Sequence, residues 1–152
     1  LNQILNDPIA TIELANGDFS SLLPLDKVAD FGKLVLDNPL IRQFFDNASN
    51  LAVKQVAVSV SEKLGGTLNR AQGKGWTIDI PYENKLIVIR IMEALSGHRT
   101  KPYYRVAISG KTALTIQGKY SNEPNLTHID LSRDYMQQII NIIESYKFTK
   151  GK

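Results

Sequence analysis

The chain has 152 residues, of which 43% are apolar and 22% charged, with a formal net charge of +3 and no cysteine. That length suffices for one well-buried core with at most a small appendage. The missing thiols exclude disulfides, thiolate nucleophiles and cysteine-ligated zinc.

No apolar run approaches the roughly 18 residues that a membrane-spanning helix requires. The charge is divided unevenly: residues 1–72 carry 6 basic and 8 acidic side chains, residues 73–152 carry 12 and 7. A basic second half predicts an anionic partner for that half. The chain opens on leucine rather than methionine, from which we expect a piece of a longer protein.

The first third reads as helical. Val28, Phe31 and Val35 stand at helical spacing within 26–36. Asn38-Pro39 then supplies a capping side chain and a proline at the first helical position, followed by Leu40, Ile41, Phe44 and Phe45 on one face. Ser49 or Asn50 opens a third helix with Val53, Val56, Ala57, Val60 and Leu64 as its stripe, and Gly65-Gly66 ends it.

From Gly66 the period changes to two. Strands are predicted over 66–71 and 75–81, over the Ile- and Val-rich 85–93, and over 103–109 and 112–117 as a hairpin turning at Gly110-Lys111. A short strand follows at 126–129. The last element is a helix with Ser132 as N-cap and Tyr135, Met136, Ile139, Ile140, Ile143 and Tyr146 as its buried stripe. The order predicts an α+β fold: N-terminal helices packed on an antiparallel β-sheet, with a C-terminal helix. A helical part over 1–65, serving delivery or belonging to the same domain, precedes a strand-rich core over 66–152.

Both histidines fall in polar segments of the basic half, His98 at 97–105 and His128 after 119–122. Imidazole titrates near neutrality, so two of them can act as base and acid in one site. Metal-independent RNA cleavage needs that pair plus donors for the charged phosphorane. Arg99, Lys101, Arg105 and Lys119 are candidate cations, and Ser121, Thr127 and Tyr103 candidate hydrogen-bond donors. Tyr103-Tyr104 on a strand places one ring on each face, so one ring is expected in the core and the other free to stack on a base.

Carboxylates are scattered without ligand spacing, and no phosphate loop, dinucleotide fingerprint or nucleophile elbow is present, so we expect no metal and no cofactor. A binding module without catalysis, such as an immunity or adaptor protein with a basic partner-binding face, is the rival reading.

The runs Gly75-Trp76-Thr77-Ile78-Asp79-Ile80-Pro81, Val88-Ile89-Arg90-Ile91-Met92, Arg99-Thr100-Lys101-Pro102-Tyr103-Tyr104-Arg105-Val106, Ser109-Gly110-Lys111, Ser121-Asn122 and Thr127-His128-Ile129-Asp130 cover about half of the chain. This part resembles the C-terminal toxin modules of bacterial polymorphic toxins of the contact-dependent inhibition type. Many of those are ribonucleases of the barnase/EndoU/colicin/RelE-like fold, with N-terminal helices on an antiparallel sheet.

The resemblance implies RNA as substrate, frequently tRNA, a cognate immunity protein, and in some relatives a host translation factor. It also implies delivery as part of a larger secreted or cell-surface protein, with action in the target-cell cytoplasm. Where EndoU-like members use two histidines and a lysine, His98, His128 and Lys119 are the nearest matches, at a spacing that departs from theirs. Catalytic roles are accordingly expected for His98, His128, Lys119 and Arg99, and substrate binding for Lys101, Tyr103, Arg105, Ser121 and Thr127.

Overall fold

Asp7 accepts hydrogen bonds from the backbone N–H groups of Ile9 and Ala10 and so caps helix α1 (Pro8–Ala15), which sequence patterning did not single out. A computed structural model of the chain describes residues 7–17, 30, 33 and 37–150. The helix expected over 26–36 lies outside the described residues apart from Asp30 and Lys33. Asn38 caps α2 (Pro39–Leu64) through its Oδ1, which accepts from Leu40 N and Ile41 N, as the Asn-Pro pair predicts.

The expected break at Ser49-Asn50 does not occur. Ser49 is buried inside one continuous helix, and the two predicted helices are a single element of 26 residues. Val53, Val56, Ala57 and Val60 are fully buried, whereas Leu40 and Phe44 are exposed. Gly65, at φ +75°, closes the helix with a bond from its N–H to Ser61 O.

The chain divides into two compact units, Leu1–Gln55 and Val56–Lys152. The second unit holds a five-stranded antiparallel sheet in simple sequence order: β1 (Thr67–Arg70), β2 (Gly75–Tyr82), β3 (Lys85–Met92), β4 (Tyr103–Ile108) and β5 (Ile129–Asp130). The fold is α+β, with N-terminal helices and a C-terminal helix, α4 (Tyr135–Lys150), as the sequence pattern predicts.

Strand register assigns the two faces. Ile78, Ile89, Val106, Ile91 and Tyr104 stand on one face and are all fully buried, which makes β3 and the even-numbered side of β4 the centre of the core. Tyr104 reaches through this core to donate its hydroxyl to Gln138 Oε1 of α4 at 2.9 Å, and burial pushes its phenol well above the usual range. On α4 the buried side is Ile139, Ile142, Ile143 and Tyr146, rotated slightly from the predicted stripe, and Ser132 Oγ makes no capping bond. Among the described residues no helix is long and apolar enough to cross a membrane.

The predicted strands over 112–117 and 126–129 are where local patterning misleads. Residues 112–117 meet β4 only at the isolated bridge Ala107↔Ala113, and Leu114 bridges instead to Tyr120 further along the chain. Thr115 diverts them, because its Oγ1 accepts from Gln117 N and Lys119 N and its own N–H bonds back to Lys119 O. Pro124 starts a one-turn helix, α3 (Pro124–Thr127), and β5 begins only after His128.

Candidate active site

The second face of the sheet carries the polar residues. Directly opposite residues in antiparallel strands share a face, so the pairs Asn69↔Thr77, Thr77↔Arg90 and Arg90↔Arg105 form one polar row across β1 to β4. Arg90 and Arg105 stand directly opposite one another, and among the described residues neither has a carboxylate partner. Like charges in that relation destabilise a sheet. Arg105 Nε is also buried with no hydrogen-bond acceptor. A buried donor left unpaired costs on the order of 1–3 kcal/mol, a cost that an acceptor reaching this nitrogen would remove.

At the β4–β5 edge the loop after β4 borders an open cavity of about 380 Å³. Arg105 and Lys111 bring positive charge to it, Thr112, Ser121 and Thr127 bring hydroxyls, and His128 stands in its wall. Four residues expected in the site from sequence (Arg105, Ser121, Thr127 and His128) therefore meet in one place.

The turn of α3 fixes the imidazole. Its Nδ1 lies 3.0 Å from Pro124 O, and a carbonyl can only accept, so Nδ1 carries the proton. Thr127 Oγ1, which donates to Glu123 O, is a second neighbour of Nδ1 at 3.3 Å. The neutral ring consequently keeps its lone pair on Nε2. The Tyr103 ring packs against it at a tilt of 43°, with ring centroids 5.0 Å apart.

Burial lowers the His128 pKa below the usual imidazole value, the Pro124 carbonyl opposes this, and the cations Arg105 and Arg99 add to the lowering. The imidazole is thus held neutral at pH 7. Since the unfolded chain binds this proton at higher pH than the folded one, stability falls as pH drops from about 6.5 toward the lowered value. In an NMR titration the His128 ring is expected to change charge below pH 6.5. Arg105→Met should raise that midpoint while burial keeps it below 6.5; a wild-type midpoint at or above 6.5 would remove the neutral base.

The other expected residues have different places. Tyr103 and Tyr104 are both buried, so neither ring is free to stack on a base: Tyr103 packs with Ala71, Met92 and the His128 ring. Arg99 donates to Asn125 Oδ1 at 3.1 Å and ties its loop to α3. His98 and Lys101 are exposed on that loop, outside the cavity wall. His98 has a left-handed backbone at φ +62°, and a Cβ on the preceding Gly97 would lie 2.7 Å from the Tyr103 hydroxyl. This loop therefore packs on the ring that backs His128.

Lys119 lines a second cavity that shares Lys111 with the first. Lys111, Thr112 and Arg90 are the residues sequence reasoning passed over. Lys111 read as a turn residue, and Arg90 was a lone charge in an apolar strand, which was the available signal.

Among the described residues no three His, Asp or Glu side chains are grouped to hold a metal ion. Comparisons with protein-family models, with curated proteins and with solved structures find no match to this chain.

Proposed function

We propose that the chain is a toxin-type, metal-independent endoribonuclease whose reaction is centred on His128. The observation that carries the reading is an imidazole whose Nδ1–H is committed to Pro124 O, leaving Nε2 as its acceptor, in the wall of a cavity that Arg105 also lines with its buried Nε unpaired. His128 Nε2 takes the proton of a ribose 2′-hydroxyl, and the 2′-oxygen attacks the adjacent phosphorus. The bond from phosphorus to the 5′-oxygen then breaks as that oxygen receives a proton from an acid, for which we propose His98. The products are a 2′,3′-cyclic phosphate and a 5′-hydroxyl.

Arg105 and Lys111 stabilise the doubly charged phosphorane, and Ser121 and Thr127 orient its oxygens. Arg99 acts as a positioning residue through Asn125, and Lys101 faces incoming RNA from the loop. The choice of tRNA, a cognate immunity protein, a host translation factor, and delivery from a larger secreted or surface protein into a target-cell cytoplasm rest on the resemblance alone.

The test is incubation of the purified chain with total RNA in EDTA. We expect fragments ending in 2′,3′-cyclic phosphate. RNA that is bound but left whole would replace this reading with that of a binding module.

A further inference from the structure

The second cavity, about 440 Å³, lies where the loop after β4 crosses α4. Gly118 makes the crossing possible: its φ is +77°, and a Cβ there would stand 2.8 Å from Tyr146 N and 2.9 Å from Ile142 O. The close approach sets Lys119 and Tyr120 at the rim. The Tyr120 ring is 45% exposed, and its hydroxyl donates to Tyr146 Oη at 3.2 Å, with the ring centroids 5.9 Å apart. Tyr146 is buried behind it. Three lysines surround this aromatic wall (Lys85, Lys111 and Lys119), and among the described residues none has a carboxylate partner.

An aromatic wall inside a ring of unpaired cations suits a planar base carrying phosphates on either side. A purely apolar occupant would cover the ring but gain nothing from the three lysines at its edge. A simple anion would leave the ring face unused. Lys111 belongs to both cavities, so a strand with one phosphate beside His128 passes Lys111 to reach the Tyr120 wall.

We infer that the Tyr120–Tyr146 cavity is a subsite for an unpaired base of the same RNA strand, stacked on Tyr120, with its flanking phosphates on Lys111, Lys119 and Lys85. This rests on the reading that RNA occupies the His128 cavity. It gives Lys119 the role of holding substrate next to the reaction. It also makes single-stranded RNA the preferred substrate, because a base in a duplex cannot turn into the cavity.

The experiment measures binding of a fluorescent, uncleavable 2′-O-methyl hexanucleotide by anisotropy, alongside wild-type cleavage of the matching RNA. Tyr120→Ala should weaken binding by about 5- to 150-fold, the range of one lost base stack. Tyr120→Phe, which keeps the ring and loses the hydroxyl bond, should retain affinity. Lys119→Gln should weaken binding and reduce its salt dependence by about one phosphate contact. A hexanucleotide abasic at the stacked position should bind wild type and Tyr120→Ala alike, and melting curves of both tyrosine variants report folding.

If wild type cleaves RNA while Tyr120→Ala binds as tightly as wild type, the subsite is overturned and the active-site reading stands. Loss of affinity in Tyr120→Ala that is the same for every abasic hexanucleotide also overturns it. If wild type binds with the Tyr120 dependence but cleaves nothing, the subsite stands and the reaction is overturned.

Discussion

His128→Asn is expected to lower RNA cleavage by on the order of 10²-fold or more while leaving the protein folded. Asparagine places an amide N–H close to where Nδ1–H stands, so the bond to Pro124 O that holds α3 can persist. What is lost is the lone pair on the far ring nitrogen. His128→Ala removes both and separates the structural bond from the base.

The wild-type pH profile adds a second reading of the same group. Because burial and then the neighbouring arginines lower the His128 pKa, the neutral base persists into mild acid. Activity should therefore fall only as pH drops through a value below 6.5. His98→Ala should also cost on the order of 10²-fold if it is the acid, and a melting curve of the variant separates that loss from strain at the left-handed backbone of this position. Wild-type rates for both histidine variants in EDTA would remove the acid–base assignment.

Arg105→Met should separate function from stability. The guanidinium stands opposite Arg90 in the strand register, with a buried Nε that finds no acceptor. Methionine keeps an unbranched chain of similar reach and relieves both the like-charge pair and the unpaired donor. We therefore expect thermal stability equal to or above wild type, since both an opposed like charge and an unpaired buried donor are unfavourable.

Cleavage should fall by about 10²- to 10³-fold, the usual cost of losing one group that stabilises the developing charge. The acid limb of the residual activity should move up in pH, because a cation beside His128 is gone. An Arg105→Met protein that cleaves at the wild-type rate would show that the guanidinium does not meet the phosphorane. One that melts well below wild type would show that Arg105 has a structural partner.

The three central strands were legible because each alternates or runs apolar over eight or six residues between turn residues, and their edges differ from expectation by one residue at most. The turn at Gly110 was legible one residue out of place: Lys111 N–H bonds to Ile108 O, so its central residues are Ser109 and Gly110 rather than Gly110 and Lys111, with Gly110 taking the positive φ. The helix cap at Asn38-Pro39 was local chemistry and survives intact.

Ser49, in contrast, reads as a helix start but is buried in the middle of α2, where the flanking helical pattern overrides one capping-type side chain. Residues 112–117 and 126–128 were misread as strands because Thr115 imposes a turn on the first and Pro124 a helical turn on the second, which leaves Ile116 and Leu126 exposed.

By itself the sequence determined the α+β class, the basic second half, the order of the strands and the residue types available for chemistry. All of these follow from periodicity, capping and composition, which act over a few neighbouring residues. Tertiary structure alone decided which of those residues meet. It set Arg105 against Arg90 through strand register and brought Lys111 and Ser121 to His128 through the loop after β4. It also buried Tyr103 behind the imidazole and gave Lys119 to a second cavity. These juxtapositions depend on register and loop closure between distant segments, and no window of local sequence encodes a distance across them.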